Sequence, residues 1–305
     1  MTTNFSIEKT KPKEFWLYRY QLYVQEPFEP SLQGILSGHN IKTAAQLKEA
    51  RNAIMREVLE HLPQTATLTN HGYKIVQTEG EGTQYLLTAD SQRSKKITTR
   101  DHIDKKVDHH PWAWIAIDTA DDVQTIAIAP ESDMRVDTAM NKLTGNLQHM
   151  LKKRGLSFIA HPIINSTAFW NFVRENKDNL REVTFTVSPP NMAGLSHTVG
   201  KQLTEIIKTT KAKKADVSLK APRGKNLELQ KGDARLRNFV DYIGQGGGGC
   251  TFVKKGSPRK IELKNERETI MATPVPPEQL IEIETTSSAA SVLTKIRIKY
   301  KIPEP

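Results

Sequence analysis

The side chains whose type and spacing could do chemistry are cations, crowded into one stretch of the chain. Residues 201–268 hold seventeen Lys and Arg against eight Asp and Glu, while residues 1–200 hold twenty-three against twenty-two. The formal net charge is +10, so nine of the ten excess charges fall in these 68 residues. Clustered cations are the electrostatic footprint of a polyanion. The attraction comes from releasing counterions condensed on phosphates, and it needs positive charge more than particular bases. The candidate nucleic-acid-binding residues are Lys208, Lys211, Lys213, Lys214, Lys220, Arg223, Lys225, Arg235, Arg237, Lys254, Lys255, Arg259 and Lys260. Arg235 and Arg237 sit early in a predicted helix, against the dipole preference for anions there. If the ends of the elements that carry these cations converge, they form a groove fitted to a phosphate backbone.

Other constellations carry less. Gly244 and Gly246 to Gly249 form a glycine run, expected as a loop. The order helix, glycines, strand and the lack of GK[ST] argue against a Walker site. Asp101, His102, Asp104, Asp108, His109 and His110 have the donors of a zinc or manganese site, but their spacing fits no defined motif. Glu262-Leu263-Lys264, preceded by Asp241, resembles the acidic-x-Lys arrangement of magnesium-dependent nucleases, and Asp104-Lys105-Lys106 is a second match. The single cysteine, Cys250, excludes an internal disulfide and any CxxC motif, and it suits a reducing cytoplasm. No G-x-S-x-G is present, and no catalytic, cofactor or metal residue is assigned.

The elements that must position these residues can be read in outline. With 305 residues, 37% hydrophobic and 26% charged, the chain is expected to fold as two α+β domains. It lacks any run of about 20 apolar residues that could span a membrane. The start has no apolar signal region, and the cytoplasm is the expected compartment. Residues 1–154 make a near-neutral, sheet-rich domain with a partner or signalling role. Strands are predicted at 14–24, 72–78, 83–88, 112–118 and 124–130, with helices at 43–62 and 134–153. Trp16, Tyr18 and Tyr20 share one strand face, as do Trp112 and Trp114, and both rows are expected in the core. Residues 91–110 read as a charged loop or edge. Residues 155–305 make the basic domain. It has strands at 156–164, 181–191 and 213–221, helices at 165–176, 195–209 and 233–243, and a hairpin around GSPR. A last strand is predicted at 291–301, where apolar and basic residues alternate.

In the basic half, a short strand Phe158-Ile159-Ala160-His161-Pro162 leads to a helix. The strand Val183 to Val187 follows, then an amphipathic helix, then Asp216-Val217-Ser218-Leu219-Lys220-Ala221. This order, with its D-x-S-L-[KR]-A stretch, resembles the RexA-type DNA-binding phage-exclusion and phage-defence proteins. The resemblance implies a cytoplasmic, non-enzymatic, oligomeric DNA sensor that works with a membrane effector protein. The expectation is a largely sequence-nonspecific binder of duplex DNA. The alternatives are a magnesium-dependent nuclease using Glu262 and Lys264, or a protein-interaction subunit with an incidental basic face.

Overall fold

The computed structural model describes residues 12–25, 41–65, 72–98, 100, 102, 104–188, 209–210, 212, 214–263, 267–274 and 291–300. Its elements are helices and antiparallel strands, an α+β fold. Contacts divide the chain into two units. The first is Met1–Trp16, Leu22–Phe158 and Thr269–Pro305; the second is Leu17–Gln21 and Ile159–Glu268.

The first unit is built around a large sheet. Its strands are β1 (Lys13–Val24), β2 (Tyr73–Glu79), β3 (Gln84–Asp90), β6 (Trp112–Asp118), β7 (Thr125–Glu131) and β13 (Thr269–Ala272), in the order β13-β1-β7-β6-β3-β2, and β8 (Leu156–Pro162) pairs with β1. Helix α1 (Ala44–Thr65) starts at a reciprocal cap. Gln46 Oε1 accepts from the Lys42 and Thr43 amides, and Thr43 Oγ1 accepts from the Gln46 amide. Helix α2 (Val136–Lys152) buries Ala139, Met140, Leu143, Leu147 and Leu151, one stripe at helical spacing. Gly155, at φ 74°, ends the turn that follows it.

Three expectations for this unit are corrected. Residues 292–300 are not a strand but helix α5 (Val292–Tyr300). Val292, Leu293 and Ile296 are buried while Ile298 is 77% exposed, a spacing that a helix satisfies and a strand does not. Arg297 donates to both Asp118 carboxylate oxygens, at 2.7 and 3.0 Å, and to Thr83 Oγ1 at 3.1 Å. Within the stretch expected as a charged loop or edge, residues 93–98 and 104–109 form a two-stranded ribbon, β4 (Arg93–Thr98) with β5 (Asp104–His109), held by its backbone ladder rather than by a core. Trp112 and Trp114 are half-buried rather than core, stacked edge to face with centroids 5.3 Å apart.

The second unit holds a sheet in the order β10-β9-β11-β12. Its strands are β9 (Leu180–Val187), β10 (Ala215–Lys220), β11 (Gly248–Lys254) and β12 (Lys260–Glu262). Helices α3 (Ser166–Glu175) and α4 (Ala234–Gly244) cover one face. Strand alternation directs Val183, Phe185, Cys250 and Phe252 to that face, where they meet Phe169, Val173, Leu236, Val240 and Ile243. Phe169 lies 5.8 Å from Phe185 and 5.4 Å from Phe252, ring centroid to centroid. Asn165 caps α3 through the Thr167 amide, and Asp233 caps α4 through the Arg235 and Leu236 amides.

The glycine run is only half a loop, because Gly248 and Gly249 belong to β11. Gly246, at φ 79°, abuts the Arg19 side chain, Gly247 the Tyr242 ring and Gly248 the Thr186 carbonyl, so a Cβ at any of the three would collide. The run is glycine because backbone packs there. Tyr18 and Tyr20 are buried, and Tyr18 accepts a 2.8 Å hydrogen bond from Arg267. Most of the helix expected at 195–209 lies outside the described residues.

Candidate nucleic-acid interface

The register of the second unit's sheet decides where its cations go. Strand β9 is antiparallel to both β10 and β11, and β11 is antiparallel to β12. The start of β9, the end of β10, the end of β11 and the start of β12 therefore meet at one end of the sheet. One rung crosses all four strands: Lys220 opposite Glu182, Glu182 opposite Val253, Val253 opposite Lys260. The connections tie to the same end. The Ala221 amide donates to the Arg181 carbonyl at 2.9 Å, Leu227 to Leu180 at 2.7 Å and Lys255 to Asn179 at 2.8 Å.

Three segments thus converge: 174–182, 220–228 and 254–260. They carry ten cations: Arg174, Lys177, Arg181, Lys220, Arg223, Lys225, Lys254, Lys255, Arg259 and Lys260. Their acids are four: Glu175, Asp178, Glu182 and Glu228. All ten cations except Lys254 are exposed. Lys254 is half-buried, with Nζ 5.5 Å from the Phe172 ring centroid, a cation–π contact. Lys220 pairs with Glu182 at 3.4 Å. Among the described residues, Arg181, Arg223, Lys225, Lys255, Arg259 and Lys260 form no ion pair. An open cleft of about 470 Å³ lies here, lined by Arg181, Glu182, Lys220, Val253, Gly256, Ser257, Pro258 and Lys260. The sheet face opposite α3 and α4 continues with Thr184, Thr186, Ser218 and Thr251 and also carries Asp216 and Glu262; Thr184 bonds Ser218 at 2.7 Å and Thr186 donates to Asp216 at 2.6 Å.

Seven of the thirteen sequence candidates meet at this end: Lys220, Arg223, Lys225, Lys254, Lys255, Arg259 and Lys260. Arg235 and Arg237 are exposed on the first turn of α4. A short connection at Gln245–Gly247 folds α4 back on β11, so that first turn lies toward the same end. Lys214 does not join them. It precedes β10, and six residues of strand put it about 20 Å from Lys220. Lys208, Lys211 and Lys213 lie outside the described residues. Arg174, Lys177 and Arg181 were not among the candidates. The antiparallel pairing of β9 with β10 brings the start of one beside the end of the other, and no local pattern in the sequence announces it.

The nuclease constellation is not assembled. Glu262 pairs with Thr251, whose side chain lies on the sheet face opposite the helices, whereas Asp241 belongs to α4 on the other face. Lys264 lies outside the described residues. Among the described residues no three His, Cys, Asp or Glu side chains group to hold a metal, His102, Asp104, Asp108, His109 and His110 included; Asp101 lies outside the described residues. Burial pushes the Cys250 thiol up to about 12, far from a thiolate nucleophile. His161 Nε2 lies 2.8 Å from Ser188 Oγ, but burial, with the Lys214 charge adding, lowers its pKa to about 4. Ser188 itself is only 2% exposed, which leaves that pair no access to substrate. No helix among the described residues is long and apolar enough to cross a membrane. No family model, curated protein or solved structure matches this chain.

Proposed function

We propose that the chain binds duplex DNA through its phosphates, with little reading of base sequence and without catalysis. The observation that carries this reading is the meeting of ten cations and four acids at one end of the β9–β12 sheet. Such a surface attracts a phosphate ladder from either strand of a duplex. A binder of single strands instead offers exposed aromatic rings for stacking. The large hydrophobics exposed among the described residues are Val76, Val107, Leu219, Met271 and Ile298, none of them aromatic. The likeness of about residues 155–255 to RexA-type phage-exclusion proteins supports a place in phage defence. In that place the chain is the oligomeric, cytoplasmic DNA-sensing member of a pair with a membrane effector.

The test is binding of the full chain to labelled duplex DNA, single-stranded DNA and RNA at two salt concentrations, with and without magnesium. The reading expects salt-sensitive retention of duplex DNA with the probe intact. Cleavage in magnesium would replace it with the nuclease reading. Absence of binding at physiological salt would leave an interaction subunit whose basic end has another partner.

A further inference from the structure

The β4–β5 ribbon raises a separate question. Residues 93–109 hold six cations, Arg93, Lys95, Lys96, Arg100, Lys105 and Lys106, against three Asp. Arg93, Ser94, Lys95, Lys96, Thr98 and the run Asp104 to Asp108 are exposed, and His109 is half-buried. The two strands make extensive contact with no element but each other. An isolated two-stranded hairpin is marginally stable in water, so this one depends on its base. There the Ser91 amide donates to the Pro111 carbonyl at 3.0 Å, and Lys142 Nζ donates to Ser91 Oγ at 2.6 Å. Asp133 holds Lys95 at 3.0 Å and His109 at 3.2 Å.

The ladder sorts the side chains by face. Residues directly opposite share a face, so Ser94 with Asp108, Lys96 with Lys106 and Thr98 with Asp104 line one side. The other side carries Arg93 with His109, Lys95 with Val107, and Lys105. Asp133 sits against this second side, near the base. Lys96 and Lys106 face each other; Asp104 pairs with Lys96 at 2.5 Å and accepts from Thr98 Oγ1 at 2.8 Å, which leaves Lys106 as the ammonium on this side without an ion pair among the described residues. The first side mixes ammonium, hydroxyl and carboxylate groups. The Lys106 ammonium can meet the phosphates at the groove walls or the N7 and O6 acceptors at its floor without selecting a sequence. The six paired positions span about 20 Å, and the major groove of B-form DNA, about 12 Å wide, admits a two-stranded ribbon.

We propose that the β4–β5 ribbon is an arm that enters the major groove of duplex DNA. The inference rests on the duplex-binding reading above and names a second contact, on the first unit.

The test uses the full chain with Lys105→Glu and Lys106→Glu, and a second variant in which Asn-Gly replaces residues 96–106. An unchanged urea midpoint shows that each variant is folded. Duplex affinity is measured against salt, and guanine N7 methylation reports the major groove. The charge-reversed variant is expected to flatten the salt slope by about 0.9 for each phosphate it no longer neutralises. Both variants are expected to lose guanine N7 protection on DNA. Binding to duplex RNA, whose major groove is too deep and narrow to enter, is expected to stay as in the parent. An unchanged slope and unchanged N7 protection would overturn the arm and leave the duplex-binding reading intact. Equal weakening on DNA and RNA would overturn groove entry. Failure of the parent chain to bind duplex DNA would overturn the reading on which the arm rests.

Discussion

Helix α5 yields a prediction that separates two conformations of one segment. In a strand, Ile296 and Ile298 would share a face and weigh alike. In the helix, Ile296 is fully buried and Ile298 is 77% exposed. Ile296→Ala removes three carbons from a closed interior, about 0.8 kcal/mol each. The cavity left behind raises the cost to roughly 3–4 kcal/mol. Ile298→Ala should change stability by less than about 0.5 kcal/mol. With a urea m-value of about 2 kcal/mol/M, the first variant should lower the midpoint of the first unit's transition by about 1.5–2 M, and the second should leave it in place. Equilibrium urea unfolding followed by tryptophan fluorescence reads both, since Trp112 and Trp114 belong to this unit. Equal shifts for the two variants would refute the helix and restore the alternating strand.

Two further outcomes follow from the second unit. Gly248→Ala drives a Cβ into the Thr186 carbonyl, and a backbone group cannot step aside, so it should cost about 3 kcal/mol or more. Gly249→Ala meets open space and should be tolerated, and the two thermal melts side by side check this. His161 makes stability depend on pH. Its pKa falls from 6.5 in the unfolded chain to about 4, by burial with the Lys214 charge adding. Above pH 6.5 the imidazole is neutral in both states and its contribution is intact. As the pH falls toward 4 the unfolded chain takes the proton first, and up to about 3 kcal/mol is lost. His161→Asn should flatten the stability profile across that window, and an unaltered profile would refute the assignment.

Most elements were legible because burial wrote their period into the chain. β9 alternates Val183, Phe185 and Val187 against Glu182, Thr184 and Thr186, and α2 repeats its leucines at helical spacing. Misreadings arose where local pattern and tertiary demand diverged. The run KIRIKYK alternates like a strand, yet Arg297 is drawn to buried Asp118 and Ile298 is left in solvent. Residues 93–109 have no apolar period because the ribbon has no core to face, so only the ladder reveals it. The glycine run reads as a loop because its constraints are tertiary: Arg19 and Thr186 lie far away in sequence, and the Tyr242 ring meets Gly247 only once α4 turns back onto β11. The same limit applies to the candidate site. Charge density marked the region, but only the strand register separates Lys214 from Lys220 and adds Arg174, Lys177 and Arg181.

The central claim is that the cations gathered at one end of the β9–β12 sheet grip a phosphate backbone. Its most direct measurement is the salt dependence of duplex affinity for the parent chain and for the combined variant Arg223→Glu, Lys225→Glu, Lys255→Glu, Arg259→Glu, with Lys214→Glu as the control at the opposite end. The account predicts a steep slope for the parent, a slope flatter by up to about 0.9 per phosphate no longer neutralised for the combined variant, and little change for the control. A combined variant that binds with the parent's affinity and slope would contradict it.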